Sequence, residues 1–171
     1  MIQRFRVPLG FFLAAVFFTV ATPTWTSIAL GVPIALAGAT FRALAAGVIK
    51  KDSELATSGP YAWTRNPLYL GSFCLTVGFA VMSWNAVAAA IVIIPSIFVY
   101  PTVIRKEETH LEHLFGETFR HYREHVPCFF PRFRMGHLSF SLQQYVNNRE
   151  YNTALGFMVA IAALAVKTFS L

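Results

Sequence analysis

Charge is what this chain has least of. Asp, Glu, Lys and Arg make up 13% of its 171 residues, against about a quarter in soluble domains. Acidic residues number 8 and basic residues 14, for a net charge of +6. Apolar residues reach 56%. That balance excludes a single water-soluble core, because almost the whole chain is either apolar segment or basic connection. Cysteine is also scarce. Cys74 and Cys128 have no CxxC spacing and fall in different segments, so no disulfide framework is expected and both thiols read as free. There is no internal repeat and no low-complexity linker. Nucleic acid is excluded as a partner, since the aromatics sit in apolar runs rather than interleaving with a basic patch. The expectation is one domain over residues 1–171, an all-α integral membrane helical bundle.

Five segments are candidates to span. They run from Val7 to Ala21, Trp25 to Ile49, Leu68 to Ser83, Ala86 to Ile104 and Thr153 to Phe169. Crossing a hydrocarbon core takes about 20 apolar residues. The first and third are short, so their ends belong in the interface. Arg4 and Arg6 ahead of the first run give it the outline of a signal peptide, but no small-x-small cleavage site follows Val20. Thr22-Pro23-Thr24 leads directly into the next apolar run, as a tight helical hairpin does.

Charge placement orients the bundle. The turns at Thr22–Thr24 and Trp84-Asn85 carry no charge. Arg4 and Arg6 precede the first helix. Lys50, Lys51 and Arg65 separate the second from the third. Arg105, Lys106, Arg120, Arg123, Arg132, Arg134 and Arg149 separate the fourth from the fifth. One orientation places all of these in the cytosol, with the N-terminus inside and the C-terminus opposite. Basic connections also favour contact with anionic headgroups.

Helix breakers and small residues mark packing. Pro67 suits a first helical position, where its missing N–H costs nothing. Pro33, Pro95 and Pro101 lie inside apolar runs, where neighbouring helices satisfy the freed carbonyls. Gly31, Gly38 and Gly47, with Ala35, Ala37, Ala39 and Ala43, give the second segment a face for close approach, and Gly71 and Gly78 do the same for the third.

From Arg105 to Pro127 the pattern changes. Leu111, Leu114, Phe115, Phe119 and Tyr122 recur at three- and four-residue steps against a face of Glu and Arg. This is an amphipathic cytosolic helix continuing from the fourth span, broken at Gly116 and ended by Pro127 and Pro131. Gln143 to Glu150 is a second polar stretch before the last span. His110 and His113, and His121 and His125, have helical spacing that suits metal ligation. Neither pair belongs to an HExxH-type motif and no Cys joins them, so a solvated face is the reading and no metal is expected.

Two gapped motifs flank the hairpin of the third and fourth spans. The first is Leu55-Ala56-Thr57-Ser58-Gly59-Pro60-Tyr61, continuing through Arg65-Asn66-Pro67-Leu68-Tyr69 to Gly71. The second is Arg105-Lys106-Glu107-Glu108, Leu111, Phe115-Gly116, Tyr122 and Val126-Pro127. Together they resemble the two signatures of the isoprenylcysteine carboxyl methyltransferase family, within a membrane methyltransferase superfamily that includes phospholipid methyltransferases. The resemblance covers residues 50–132. It implies S-adenosyl-L-methionine as cofactor. Ser53, Glu54, Leu55 and Ala56 would approach it mainly through backbone groups, and Tyr61 from the loop. Asn66 stands where many relatives have a His; Asn keeps a donor and an acceptor but cannot carry charge. Glu107 would meet the cofactor's cationic end, Tyr69 would be a further cofactor contact shaping the pocket, and Arg65, Glu108 and Arg105 would be the catalytic residues.

The residue types agree with that ligand. Its sulfonium and ammonium suit carboxylates and aromatic faces, and its carboxylate suits Arg. The bland reading is that Glu107-Glu108 is a solvated pair, Tyr61 and Tyr69 an interfacial aromatic belt, and Arg65 a headgroup anchor. The acceptor implied is lipophilic, a small molecule or a prenylated group, with a carboxylate favoured because it is already ionised. A phospholipid amine would need a base, for which Glu108 and His110 are candidates. An NADPH-dependent reductase of a related membrane fold, and a scaffold without enzymatic activity, remain as alternatives. The topology has a direct test. Cysteines placed at Asn85 and at Glu117 should label from opposite sides of the membrane.

Overall fold

The computed structural model describes residues 6–133 and 139–170, and every regular element in that part is helical. The elements are α1 (Arg6–Val20), α2 (Trp25–Ala46), α3 (Pro60–Trp63), α4 (Pro67–Ser83), α5 (Ala86–His125), α6 (Leu142–Asn147) and α7 (Tyr151–Ser170). Arg4 and Arg134, two cations used above for orientation, lie outside the described residues, as does the side chain of Arg6. Helices α2, α5 and α7 are long and apolar enough to cross a membrane, while Pro8–Val20 and Pro67–Ser83 are shorter apolar helices. The molecule is an all-α membrane bundle, with the short first and third spans that the sequence implies.

Local chemistry sets the helix starts. Thr24 Oγ1 accepts from Ser27 N at 3.0 Å and Ser27 Oγ accepts from Thr24 N at 2.9 Å, a reciprocal cap that opens α2 directly after Pro23. Asn85 Oδ1 accepts from Val87 N and Ala88 N at the start of α5. Pro60 and Pro67 occupy the first positions of α3 and α4.

The 40 residues of α5 correspond to about 60 Å of helix, twice the hydrocarbon thickness. Its second half therefore projects beyond the span. At Gly116 the backbone leaves the helix (φ 49°, ψ −122°), a conformation open to glycine alone at low cost, and the helix bends there. The expected amphipathic extension is thus the distal part of α5, with its break in place. Phe119 and Tyr122 are its buried face, joined by Val126 just past its end.

Glycines draw α2 and α4 together. A methyl group built on Gly38 would lie 2.6 Å from Gly71 O, and one on Gly78 would lie 2.7 Å from Ala35 N. Backbone meets backbone along this interface. The uncharged turns converge at one end: Thr22 N donates to Ser83 O at 2.8 Å and Thr22 Oγ1 to Trp84 O at 3.1 Å. At the same end Lys167 of α7 donates to Phe18 O and Thr19 O, both at 2.7 Å, capping α1. The basic connections gather at the other end, where Arg65 N bonds Pro127 O and Arg132 N bonds Trp63 O.

Two cations escape the charge pattern of the sequence, Lys167 at the uncharged end and Arg42. Arg42 sits inside α2, about one turn before its end at Ala46, and forms a two-point ion pair with Glu150 at 2.7 and 2.8 Å. Substituting Gly38 by Leu should destabilise the protein by at least about 1–3 kcal/mol, because the backbone contact with Gly71 leaves no room. Gly156, with nothing within 4 Å of an added methyl, should accept Ala at no cost. Thermal unfolding in detergent compares the two.

Candidate active site

Two cavities meet at the basic end of the bundle. The first, about 200 Å3, lies between the connection from Ile49 to Ala56, the short helix α3 and the outer half of α5. Glu54, Leu55, Ala56, Tyr61, Asn66 and Glu107 all line it. The second, about 490 Å3, opens between α4 and the inner half of α5. Its wall is largely apolar, formed by Phe73, Ile97, Tyr100, Pro101, Ile104 and Phe129, with Ser96, Arg105, Glu108 and Cys128 as polar members. Glu108 belongs to both walls.

Adjacent residues on a helix point about 100° apart, which separates the two carboxylates. Glu107 Oε2 accepts from Tyr69 Oη at 2.9 Å and faces the smaller cavity. Glu108 Oε1 accepts from Arg65 Nε at 2.8 Å and from Asn66 Nδ2 at 3.3 Å. Arg65 is itself anchored, since its Nη1 donates to Arg123 O and Val126 O at 2.9 and 2.7 Å. With side-chain exposures of 10% and 18%, the Arg65–Glu108 pair is a built feature rather than a transient surface contact.

Tyr61 carries the clearest unsatisfied group. Its hydroxyl is buried with no hydrogen-bond partner among the described residues. Burial, and then the Glu107 charge, push its pKa well above the ordinary phenol value, so it stands as a neutral donor beside the cavity. Tyr122 is also held neutral, chiefly by burial, and its hydroxyl donates to Tyr61 O at 2.7 Å, which fixes the α3 loop. Cys128 is positioned through its backbone. Thr64 Oγ1 and Asn66 Nδ2 both donate to Cys128 O, at 3.1 and 3.0 Å. Its Sγ lies 3.6 Å from Glu108 Oε1.

The residues singled out in the sequence do not all converge. Glu54, Leu55, Ala56, Tyr61, Arg65, Asn66, Glu107 and Glu108 surround the smaller cavity. Arg105 lines the larger one instead. Ser53 lines neither. It is exposed, and its hydroxyl donates to Lys50 O in the turn. Tyr69 lines neither cavity and acts on Glu107 from behind. Residues passed over include Leu111, Phe119 and Tyr122, whose helical spacing signalled a packing face but not a cavity wall. Cys128 and Phe129 sit just past the second motif and carry no sequence signal of their own. His110 also lines the smaller cavity and pairs with Asp52 at 3.0 Å. Among the described residues, no group of three or more His, Cys, Asp or Glu side chains is placed to hold a metal. Both thiols are free.

A polar cavity and an apolar one sharing a carboxylate wall at the end of a membrane bundle suit a group transfer between a soluble donor and a lipid. Similarity to known proteins gives the class: a membrane methyltransferase. The phospholipid methyltransferase family matches residues 6–118, and the chain belongs to that family. It is 34% identical over 152 residues to the nickel-cobalt-cadmium resistance protein NccN of Alcaligenes xylosoxydans xylosoxydans, covering 82% of this chain and 70% of that protein. It is 30% identical over 174 aligned positions to the cobalt-zinc-cadmium resistance protein CzcN of Cupriavidus metallidurans, covering 97% and 80%. Protein-S-isoprenylcysteine O-methyltransferase of Homo sapiens is 32% identical over 95 residues, 56% of this chain but 34% of that enzyme. The resemblance read from the two motifs is thereby supported. No solved structure matches the chain.

Thiol titration provides a test of the shared wall. Burial first, then the Glu108 charge, raises the Cys128 pKa above the ordinary thiol value. The reactive thiolate is therefore scarcer at a given pH, and maleimide labelling should accelerate only at alkaline pH. Glu108→Gln removes the neighbouring anion, lowers the pKa and should speed labelling at pH 8. Equal rates would show that Glu108 does not act on this thiol.

Proposed function

We propose that this protein transfers the methyl group of S-adenosyl-L-methionine to a lipophilic carboxylate held in the membrane. The observation that carries the reading is the position of Glu108 in the common wall of the two cavities. A donor in the smaller cavity and an acceptor in the larger would meet beside it.

The residues of the smaller cavity fit the cofactor. The unpaired Tyr61 hydroxyl is a buried donor in need of an acceptor. Glu107 supplies a negative group for a cationic end, and Lys50 and Lys51 line the same cavity for an anionic one. Asn66 offers its amide, and Leu55 and Ala56 their backbone. The space, about 200 Å3, encloses only part of a nucleoside-sized molecule. When bound, the cofactor supplies an electrophilic methyl on a sulfonium.

The chain's own residues then have defined tasks. Arg105, which lines the apolar cavity, would hold the acceptor carboxylate by charge-assisted hydrogen bonds. Phe73, Ile97, Tyr100 and Phe129 would take the hydrocarbon and exclude water. Arg65 and Asn66 lock Glu108, so the wall between donor and acceptor keeps its shape. Alignment and water exclusion are the main contributions such a site makes to an in-line displacement. No general base is needed for an ionised acceptor. The engagement of Glu108 favours this over an amine acceptor, because its Oε1 is already taken by Arg65 and Asn66. The charge pattern supports a cytosolic site.

Calorimetry of the purified protein should detect S-adenosylhomocysteine and not NADPH. Glu107→Gln should weaken that binding by about 1.5–3 kcal/mol, roughly 10- to 150-fold, with helix content unchanged. Membranes incubated with methyl-labelled cofactor should yield a lipid-soluble ester cleaved by mild alkali. Label that survives alkali and migrates with phospholipid would instead establish an amine acceptor.

A further inference from the structure

The segment that follows the family match at residues 6–118 reaches back into the bundle through two polar side chains. Asn148, at the end of α6, donates from Nδ2 to Ala46 O at 2.9 Å and to Ile49 O at 3.1 Å. These carbonyls end α2 and begin the connection that forms one wall of the smaller cavity, and Ile49 is itself part of that wall. Glu150, two residues on and buried, receives Nε and Nη2 of Arg42. Between them Arg149 adopts a left-handed backbone (φ 54°), turning the chain from α6 into α7 with both neighbours facing inward.

Arg42 carries the contact onward. Its Nη1 donates to Leu68 O at 3.2 Å and to Ser72 Oγ, and its Nη2 to Thr153 Oγ1 at 3.4 Å. One guanidinium thus joins α2, the first turn of α4 and the start of α7. Leu68 is the neighbour of Tyr69, which holds Glu107, and lies two residues from Asn66, which holds Glu108. The smaller cavity is therefore braced on two sides by residues that line neither cavity. A half-buried guanidinium with every donor used is also a costly thing to keep within an apolar helix unless it has a task.

We propose that the α6–α7 segment is a positioning element for the donor site. Asn148 sets the wall at Ile49, and Glu150, acting through Arg42, sets the first turn of α4 and with it the hold of Tyr69 on Glu107 and of Asn66 on Glu108. The proposal rests on the reading of the smaller cavity as the donor site.

The test uses the full-length protein in lipid nanodiscs, carrying Cys74→Ala so that Cys128 is the remaining thiol. Asn148→Ala and Glu150→Gln are compared with that parent, and Glu150→Asp serves as the conservative variant. Three quantities are read: helix content with melting temperature, S-adenosylhomocysteine affinity, and the rate at which Cys128 reacts with maleimide. Both disruptive variants should stay helical and bind S-adenosylhomocysteine at least tenfold more weakly; Glu150→Gln, which acts through Arg42 and Asn66, should in addition label at Cys128 at least threefold faster, with Glu150→Asp intermediate. A folded variant with parental affinity and parental labelling would overturn the proposal and reduce the segment to a purely stabilising role. If Glu150→Gln fails to fold, Asn148→Ala, which leaves the ion pair intact, decides. If the parent itself binds no S-adenosylhomocysteine, the donor reading fails. The labelling rate then decides the positioning claim by itself.

Discussion

The close approach of α2 and α4 governs the rest of the molecule. Lipid tails are as apolar as the helices they surround, so helices in a bilayer associate through packing rather than expulsion of water. Gly31 and Gly38 on one helix, and Gly71 and Gly78 on the other, let the two backbones touch. That contact has a consequence at its basic end. It brings Arg42 of α2 against Leu68 and Ser72 of α4, and so ties the start of α4 to its neighbour. From that start hang Arg65, Asn66 and Tyr69, the residues that orient both carboxylates of α5.

Two ion pairs, Arg42–Glu150 and Arg65–Glu108, stand out because taking charges out of water costs several kcal/mol per ion after relaxation. Neither is a bare pair. Arg42 distributes donors over Glu150, Leu68, Ser72 and Thr153, and Arg65 over Glu108, Arg123 and Val126. Such saturation is what makes a buried charge tolerable, and it also makes each arginine a rigid joint. The neighbouring glutamates divide their roles for a simpler reason. A helix turns about 100° per residue, so Glu107 meets Tyr69 while Glu108 meets Arg65 and alone reaches the second cavity.

Much of the fold was legible because its signals are local. The five apolar segments, the shortness of the first and third, Pro67 at the start of α4 and the break at Gly116 each depend on a few consecutive residues. The candidate site was legible only through the resemblance. Glu107 beside Glu108 looks the same in sequence whether solvated or lining a cavity. Arg105 reads as a companion of both carboxylates, yet it lines only the apolar cavity, sharing the face of Glu108 three residues on and not that of Glu107. Ser53 reads as a backbone contact for the cofactor, yet the turn at Asp52, itself left-handed (φ 58°), carries it out to solvent. Arg42 was passed over because a single cation in an Ala- and Gly-rich helix carries no pattern.

By itself, then, the sequence determined a basic, all-helical membrane bundle with two motifs flanking one hairpin. Apolar run length, helix breakers and charge asymmetry are set within short stretches and survive without knowledge of neighbours. The tertiary structure alone decided that two cavities share Glu108, that Tyr61 is left with an unsatisfied hydroxyl, and that Asn148 and Glu150 reach α2 across about 100 positions of sequence. These depend on contacts between segments far apart in the chain. Such contacts follow from helix packing and from the need to pair every buried polar group, and neither is encoded in local spacing.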